Sequence, residues 1–113
     1  MPYIQVRTNK ELTREKEVAI KKRLGEAISI LNKSESWLMV EFVDKCKLYF
    51  KGEDGDNYAY VDIKIYGSSS SESYRIFTAE VSKILNEEIN ILPSNIYISY
   101  GEFSNWGWNG SNF

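Results

Sequence analysis

From Pro2 to Arg7 the chain alternates. Ile4 and Val6 fall on one side, and Tyr3, Gln5 and Arg7 on the other. Period-two alternation predicts a short strand. Residues 8–12 (TNKEL) turn the chain, and Thr13 is placed to cap a helix whose first turns carry Glu15 and Glu17, where acids suit the helix dipole. Ile20, Leu24, Ala27, Ile28 and Leu31 then recur at helical spacing, which predicts an amphipathic helix of about five turns. Residues 37–43 (WLMVEFV) are rich in strand formers, and residues 46–50 (CKLYF) read as a short strand of their own. Residues 51–57 (KGEDGDN) form a polar turn with two glycines.

In residues 58–66 (YAYVDIKIY) the alternation returns. Ala59, Val61, Ile63 and Ile65 make the apolar face. Ser69-x-x-Glu72 has the form of a capping box. Phe77, Val81, Ile84, Leu85 and Ile89 mark the buried face of a second helix, which Pro93 follows. Residues 95–100 (NIYISY) predict a last strand. The order is β-α-β followed by β-α-β, with Trp37–Met39 in the first half matching Ile96–Ile98 in the second. Right-handed crossovers place both helices on one sheet face. The expected fold class is α+β, a two-layer sandwich of two β-α-β units. The other sheet face is expected to carry Trp37, Met39, Tyr60, Tyr66 and Tyr97, too aromatic for a solvent face, and self-association would cover it.

The totals narrow the chemistry. The 113 residues fit one domain, 1–113, and 42% apolar with 27% charged residues describes a soluble globular chain. The net charge is -2 and the lysines and arginines are scattered, so a basic nucleic-acid surface is not expected. There is no histidine, which removes His-based triads and His-containing metal sites. The one cysteine, Cys46, cannot form an internal disulfide and reads as an ordinary strand residue. No apolar run has the length of a membrane span or the form of a signal peptide, so no membrane partner is expected and the expected location is cytoplasmic.

Pro2 follows Met1, a position from which methionine is readily removed. The mature chain would then begin with a secondary amine. An α-amino group titrates near 7.7–8.0, and burial or a nearby cation lowers that value. In a chain without histidine this amine is the best group for proton transfer near neutrality. A strand that starts at once would hold it at a fixed place.

Several stretches together resemble the macrophage migration inhibitory factor family of the tautomerase superfamily. They are Met1-Pro2 leading into a strand, Thr8-Asn9, Lys33 after the first helix, Phe50 with Gly52, Pro93 before NIYISY, and the ending NWGWNGSNF. Gly107 to Phe113 match the family's Gly-Trp-Asn-x-Ser-Thr-Phe ending, with Asn112 in place of threonine. The resemblance implies a homotrimer whose sheets surround a central channel with the helices outside. It implies keto–enol tautomerisation of small aromatic α-keto acids such as phenylpyruvate, or of dopachrome analogues, with no cofactor and no metal.

By the same resemblance Pro2 is the catalytic base and Lys33 pairs with the substrate carboxylate. A backbone contact falls to Tyr66, or to Ile65 if the register slips. Tyr97 is supplied by the neighbouring subunit, with Ser99 where the vertebrate pattern has asparagine. Trp37 stands in place of tyrosine at the rim and Trp106 in place of a small aliphatic residue. Trp108 and Phe113 match the family's residues. The CxxC of some members is absent.

Two other readings stay open. One is a cytokine-like protein that engages a host receptor and leaves the cell without a signal peptide, its catalysis incidental. The other is hydration or dehalogenation, which adds an arginine beside the proline, with Arg7 and Arg75 as candidates.

Overall fold

The structure is a computed structural model describing residues 1–113. Strand β1 (Pro2–Thr8) is followed by helix α1 (Arg14–Ala27), strands β2 (Met39–Val43) and β3 (Ala59–Tyr66), helix α2 (Ser71–Ile89) and strand β4 (Ile96–Phe103). A terminal hairpin is formed by β5 (Gly107–Trp108) and β6 (Ser111–Asn112). The four long strands form one sheet in the order β2-β1-β3-β4. β1 and β2 are parallel, β3 and β4 are parallel, and β1 meets β3 antiparallel. This is the α+β arrangement of two β-α-β units.

The alternation read from the sequence sets the faces. Across the middle of the sheet Val40, Ile4, Ile63 and Tyr100 stand side by side, as do Phe42, Val6, Val61 and Ile98. These side chains meet Ile20, Leu24, Phe77, Val81 and Leu85 from the helices in one core. Both helices therefore cover the same sheet face. Thr13 caps α1 by accepting from the Lys16 amide at 3.2 Å. The expected five turns are present, but the last one, Ile28–Leu31, tightens into a 3-10 turn that ends at Asn32 in the left-handed region.

Four expectations are corrected. Residues 46–50 form no strand. The chain is irregular until Phe50 and Glu53 exchange backbone hydrogen bonds around Lys51 and Gly52, both at positive φ. This is the pattern of a tight type I′ turn. Trp37 lies in a 3-10 turn, Glu35–Trp37, whose start is capped by Ser34, so it is not on the sheet face. The second helix is capped by Ser70, which accepts from the Ser73 amide at 3.0 Å, while Glu72 turns to Arg75. No capping box forms. Finally, Tyr3 stands opposite Met39 and Tyr60 opposite Tyr97, so Met39 corresponds to Tyr97 rather than to Ile98.

The uncovered sheet face is aromatic at its ends and polar between them. Met39 is 67% exposed and Tyr97 63%. In the middle, Glu41 accepts hydrogen bonds from Tyr3 and from Gln5, and Lys64 pairs with Asp62 at 2.8 Å. Glu41 pushes the Tyr3 phenol up to about 12 by accepting its proton, with burial adding to the effect.

Candidate active site

The start of β1 is tied to the end of β3. Pro2 is buried and paired with Ile65, and the Met1 carbonyl accepts from the Tyr66 amide at 3.0 Å. Directly after Tyr66, Gly67 takes a φ of 82°, open to glycine at little cost, and the chain turns away. The Tyr66 carbonyl accepts a 2.9 Å hydrogen bond from the Lys33 ammonium. Lys33 is in reach because Asn32 ends the helix in the left-handed region one residue earlier. An ammonium has three donors, so Lys33 keeps others for an anion.

A cavity of about 360 Å³ opens at this place. Met1, Pro2 and Tyr3 line one side, Ser36 to Met39 a second, and Trp106 to Trp108 a third. Trp37 meets Trp108 edge to face at 4.9 Å between ring centres. This geometry is favourable for two indoles and fixes the rim. Trp106 leans on Phe103 at 6.1 Å, and its carbonyl accepts from the Phe113 amide at 3.1 Å. Phe113 in turn lies against Tyr66 at 5.6 Å. The tail therefore closes over the start of the chain. Burial, and then the Lys33 cation, hold the amine at the chain start below its ordinary value.

The structure thus gathers most of the residues singled out by sequence. Pro2, Trp37, Trp106 and Trp108 line one cavity; Lys33, Ile65, Tyr66 and Phe113 adjoin it through the contacts just described. Tyr97 and Ser99 lie elsewhere on the chain. Tyr97 pairs with Tyr60, which pairs with Arg7, roughly 17 Å down β1 from Pro2 at about 3.4 Å per residue. There Tyr97 packs on Phe50 at 5.0 Å and Ser99 bonds the Tyr60 hydroxyl at 2.5 Å. Neither arginine reaches Pro2: Arg7 sits at that far end and Arg75 is engaged by Glu72. Met39, Leu38, Ser36 and Tyr3 are lining residues that the sequence reading did not assign. Met39 and Tyr3 could have been found from the parallel register that puts them side by side.

The class is therefore an α+β protein of two β-α-β units, with its chain start buried at an aromatic cavity closed by its own tail. Residues 1–113 match the model of the macrophage migration inhibitory factor (MIF) family. The chain belongs to that family and has the tautomerase-superfamily fold. Leishmania major MIF2 is 27% identical, with a TM-score of 0.93 over 100% of this chain and 97% of that one. The MIF-like protein of Entamoeba histolytica is 23% identical, with a TM-score of 0.88 over 99% and 98%. Pt0534, solved after inactivation by 2-oxo-3-pentynoate, is 16% identical, with a TM-score of 0.84 over 96% and 92%. No curated protein matches the chain.

Proposed function

We propose that the chain is a cofactor-independent keto–enol tautomerase of small aromatic α-keto acids such as phenylpyruvate, with Pro2 as general base and acid once Met1 is removed. The observation that carries this reading is the placement of Pro2: buried in a strand, paired with Ile65 next to the Tyr66 carbonyl that Lys33 bonds, and lining a cavity walled by three tryptophans. While Met1 is attached the Pro2 nitrogen is an amide and has no useful basicity. After its removal the secondary amine occupies an environment that already lowers an amine pKa through burial and the Lys33 charge. A neutral amine at physiological pH is the form that accepts a proton.

The substrate carboxylate pairs with Lys33 and its ring lies between the indoles. In the ketonisation direction the neutral Pro2 amine takes the enol oxygen's proton and, now protonated, delivers it to the carbon between ring and carbonyl. In the reverse direction the neutral amine removes that carbon's proton and passes it to the carbonyl oxygen, so that it is neutral again at the end of either turnover. The lysine holds the acid in place and the apolar walls keep the amine dry.

A homotrimer belongs to the same proposal. It would cover the open sheet face, whose Met39 and Tyr97 are left largely exposed in the single chain. It would also bring Tyr97 and Ser99 of a second copy to the cavity, which one chain cannot do.

The test is a Pro2→Gly protein checked for trimers by light scattering. Turnover of phenylpyruvate should collapse while assembly persists. Full turnover in the assembled variant would sink the reading. A second probe is 2-oxo-3-pentynoate, the compound that inactivates Pt0534. It should add once, at Pro2, and only after Met1 has been lost.

A further inference from the structure

Two hydroxyls meet on the open sheet face, at the end remote from the cavity. Tyr60 and Ser99 stand on the neighbouring strands β3 and β4, and their hydroxyl oxygens are 2.5 Å apart. Tyr60 lies opposite Tyr97 in the register and is 37% exposed; Ser99 lies opposite Asp62 and is half-buried. No other hydrogen bond engages either hydroxyl within the chain. Two hydroxyls hold two protons, and one of them is spent between the pair. The pair therefore keeps one donor and several lone pairs for a ligand, fixed on two paired strands. Tyr60 is the longer and the more exposed of the two.

Within one chain this pair has nothing to act on. Tyr60 is paired with Arg7, at the far end of β1 from Pro2. The open face is apolar at both ends, with Tyr97 beside the pair and Met39 beside the cavity, and polar in its middle. Copies packed end on end into a closed ring bury both ends and bring the pair of one to the cavity of the next. There a bound α-keto acid has one polar group still open. Lys33 takes the carboxylate and the indoles take the ring, while the Tyr3 hydroxyl on the cavity wall is already given to Glu41.

We infer that Tyr60, anchored by Ser99, is a specificity-determining residue that acts on the cavity of a neighbouring copy: its hydroxyl bonds the oxygen on the carbon next to the carboxylate. The inference rests on the proposed assembly and on reading the cavity as the binding site. A ketone oxygen only accepts, whereas an enol hydroxyl also donates. A phenolic hydroxyl, which donates and accepts, serves both tautomers. Acids with an oxygen at that carbon are favoured over acids without one.

The experiment uses the full chain after removal of Met1 and compares two acids by calorimetry, neither of which has a ketone to tautomerise. One is 2-hydroxy-3-phenylpropionate, which carries the oxygen; the other is 3-phenylpropionate, which lacks it. Light scattering first checks that each variant assembles as the parent does. Tyr60→Phe should weaken binding of the hydroxy acid roughly three- to tenfold, the worth of one hydrogen bond, and leave 3-phenylpropionate unchanged. Ser99→Ala, which removes the anchor, should give the same selective loss and decides the matter if Tyr60→Phe fails to assemble. Action across chains is tested by refolding Tyr60→Phe together with Lys33→Met. In the mixture a Tyr60→Phe cavity beside a Lys33→Met chain regains a tyrosine, so a fraction of sites should return to parental affinity. Equal loss for both acids, loss for neither, or a mixture without parental sites overturns the inference. So does a parent that binds the two acids equally well or not at all. Selective binding without phenylpyruvate turnover would overturn only the tautomerase reading.

Discussion

In the first β-α-β unit the opening strand starts at Pro2 and runs beside Met39; in the second it starts at Ala59 and runs beside Ile96 and Tyr97. Both helices leave through an asparagine in the left-handed region, Asn32 in one and Asn90 in the other. The residue that follows differs. After Asn32 comes Lys33, which bonds the Tyr66 carbonyl; after Asn90 comes Ile91, fully buried in the core. The approach to the strand differs as well. Met1 and Pro2 line a cavity of about 360 Å³. Ala59 is preceded by Tyr58 and by a loop whose Phe50 packs on both Tyr58 and Tyr97, leaving about 120 Å³. One scaffold is thus used twice. A buried Pro2, a lysine after the cap and the tail hairpin set the first unit apart, and on the proposed reading they give it the group that moves a proton.

The largest expected effect breaks that asymmetry outright. Pro2→Gly should lower kcat for phenylpyruvate by about 10²–10⁴, the usual contribution of a positioned acid–base group. Stopped assays on assembled protein measure it, and a loss below tenfold would place the base elsewhere. The next effect concerns what the units share. Leu24 in α1 and Leu85 in α2 are both fully buried in one core, so Leu24→Ala and Leu85→Ala should each cost about 3 kcal/mol in denaturant unfolding. If only one were destabilising, the two units would not share a core.

Lys33→Met tests the lysine that the second unit lacks. It should reduce kcat/KM roughly ten- to a hundredfold through loss of a charge-assisted contact to the carboxylate. It should also move the acid limb of the pH profile. Burial and then the Lys33 cation lower the pKa of the Met1 amine at the chain start; if Pro2 carries the amine in the same surroundings, removing the cation raises its pKa and the protonated, inactive form persists to higher pH. The limb therefore shifts upward. An unmoved limb together with a raised KM would leave Lys33 as a carboxylate anchor alone.

The strands and helices were legible because their periods are clean: residues 59–65 alternate into a core and residues 77–89 repeat at helical spacing. Composition misled where a local turn outweighed it. Trp37 has strand-forming character, but Ser34 caps a 3-10 turn that takes it off the sheet. Leu48, Tyr49 and Phe50 look like a strand, yet no neighbouring strand lies beside them to pair with. At the candidate site the resemblance pointed to Pro2, Lys33 and the tail. The alternation puts Met39 on the open sheet face but does not assign it to the site, because the cavity joins three segments distant in sequence and only the β1–β2 register brings Met39 next to Tyr3.

The smallest predicted effect compares two turns of one kind. Lys51-Gly52 and Asn109-Gly110 both have positive φ at consecutive residues, with both glycines at 79°. A Cβ built on either glycine meets nothing within 4 Å. Replacing each by alanine therefore costs backbone strain alone, about 1 kcal/mol. Thermal unfolding should fall by similar small amounts in Gly52→Ala and Gly110→Ala. Their effects on the cavity should arise by different routes. Gly110 closes the hairpin that carries Trp108 against Trp37 and Phe113 against Tyr66, so loosening it frees part of the wall. Gly52 closes a turn on the loop whose Phe50 packs at the other end of the sheet, on Tyr97. KM for phenylpyruvate should rise in Gly110→Ala by roughly two- to fivefold, the equivalent of about 0.4–1 kcal/mol, and kcat should hold. In Gly52→Ala a shift of KM would instead show that the far end of the sheet contributes to the same binding event, the outcome required if a second copy's Tyr97 reaches the cavity. The pair of turns thus separates a site built from one chain from a site completed by two.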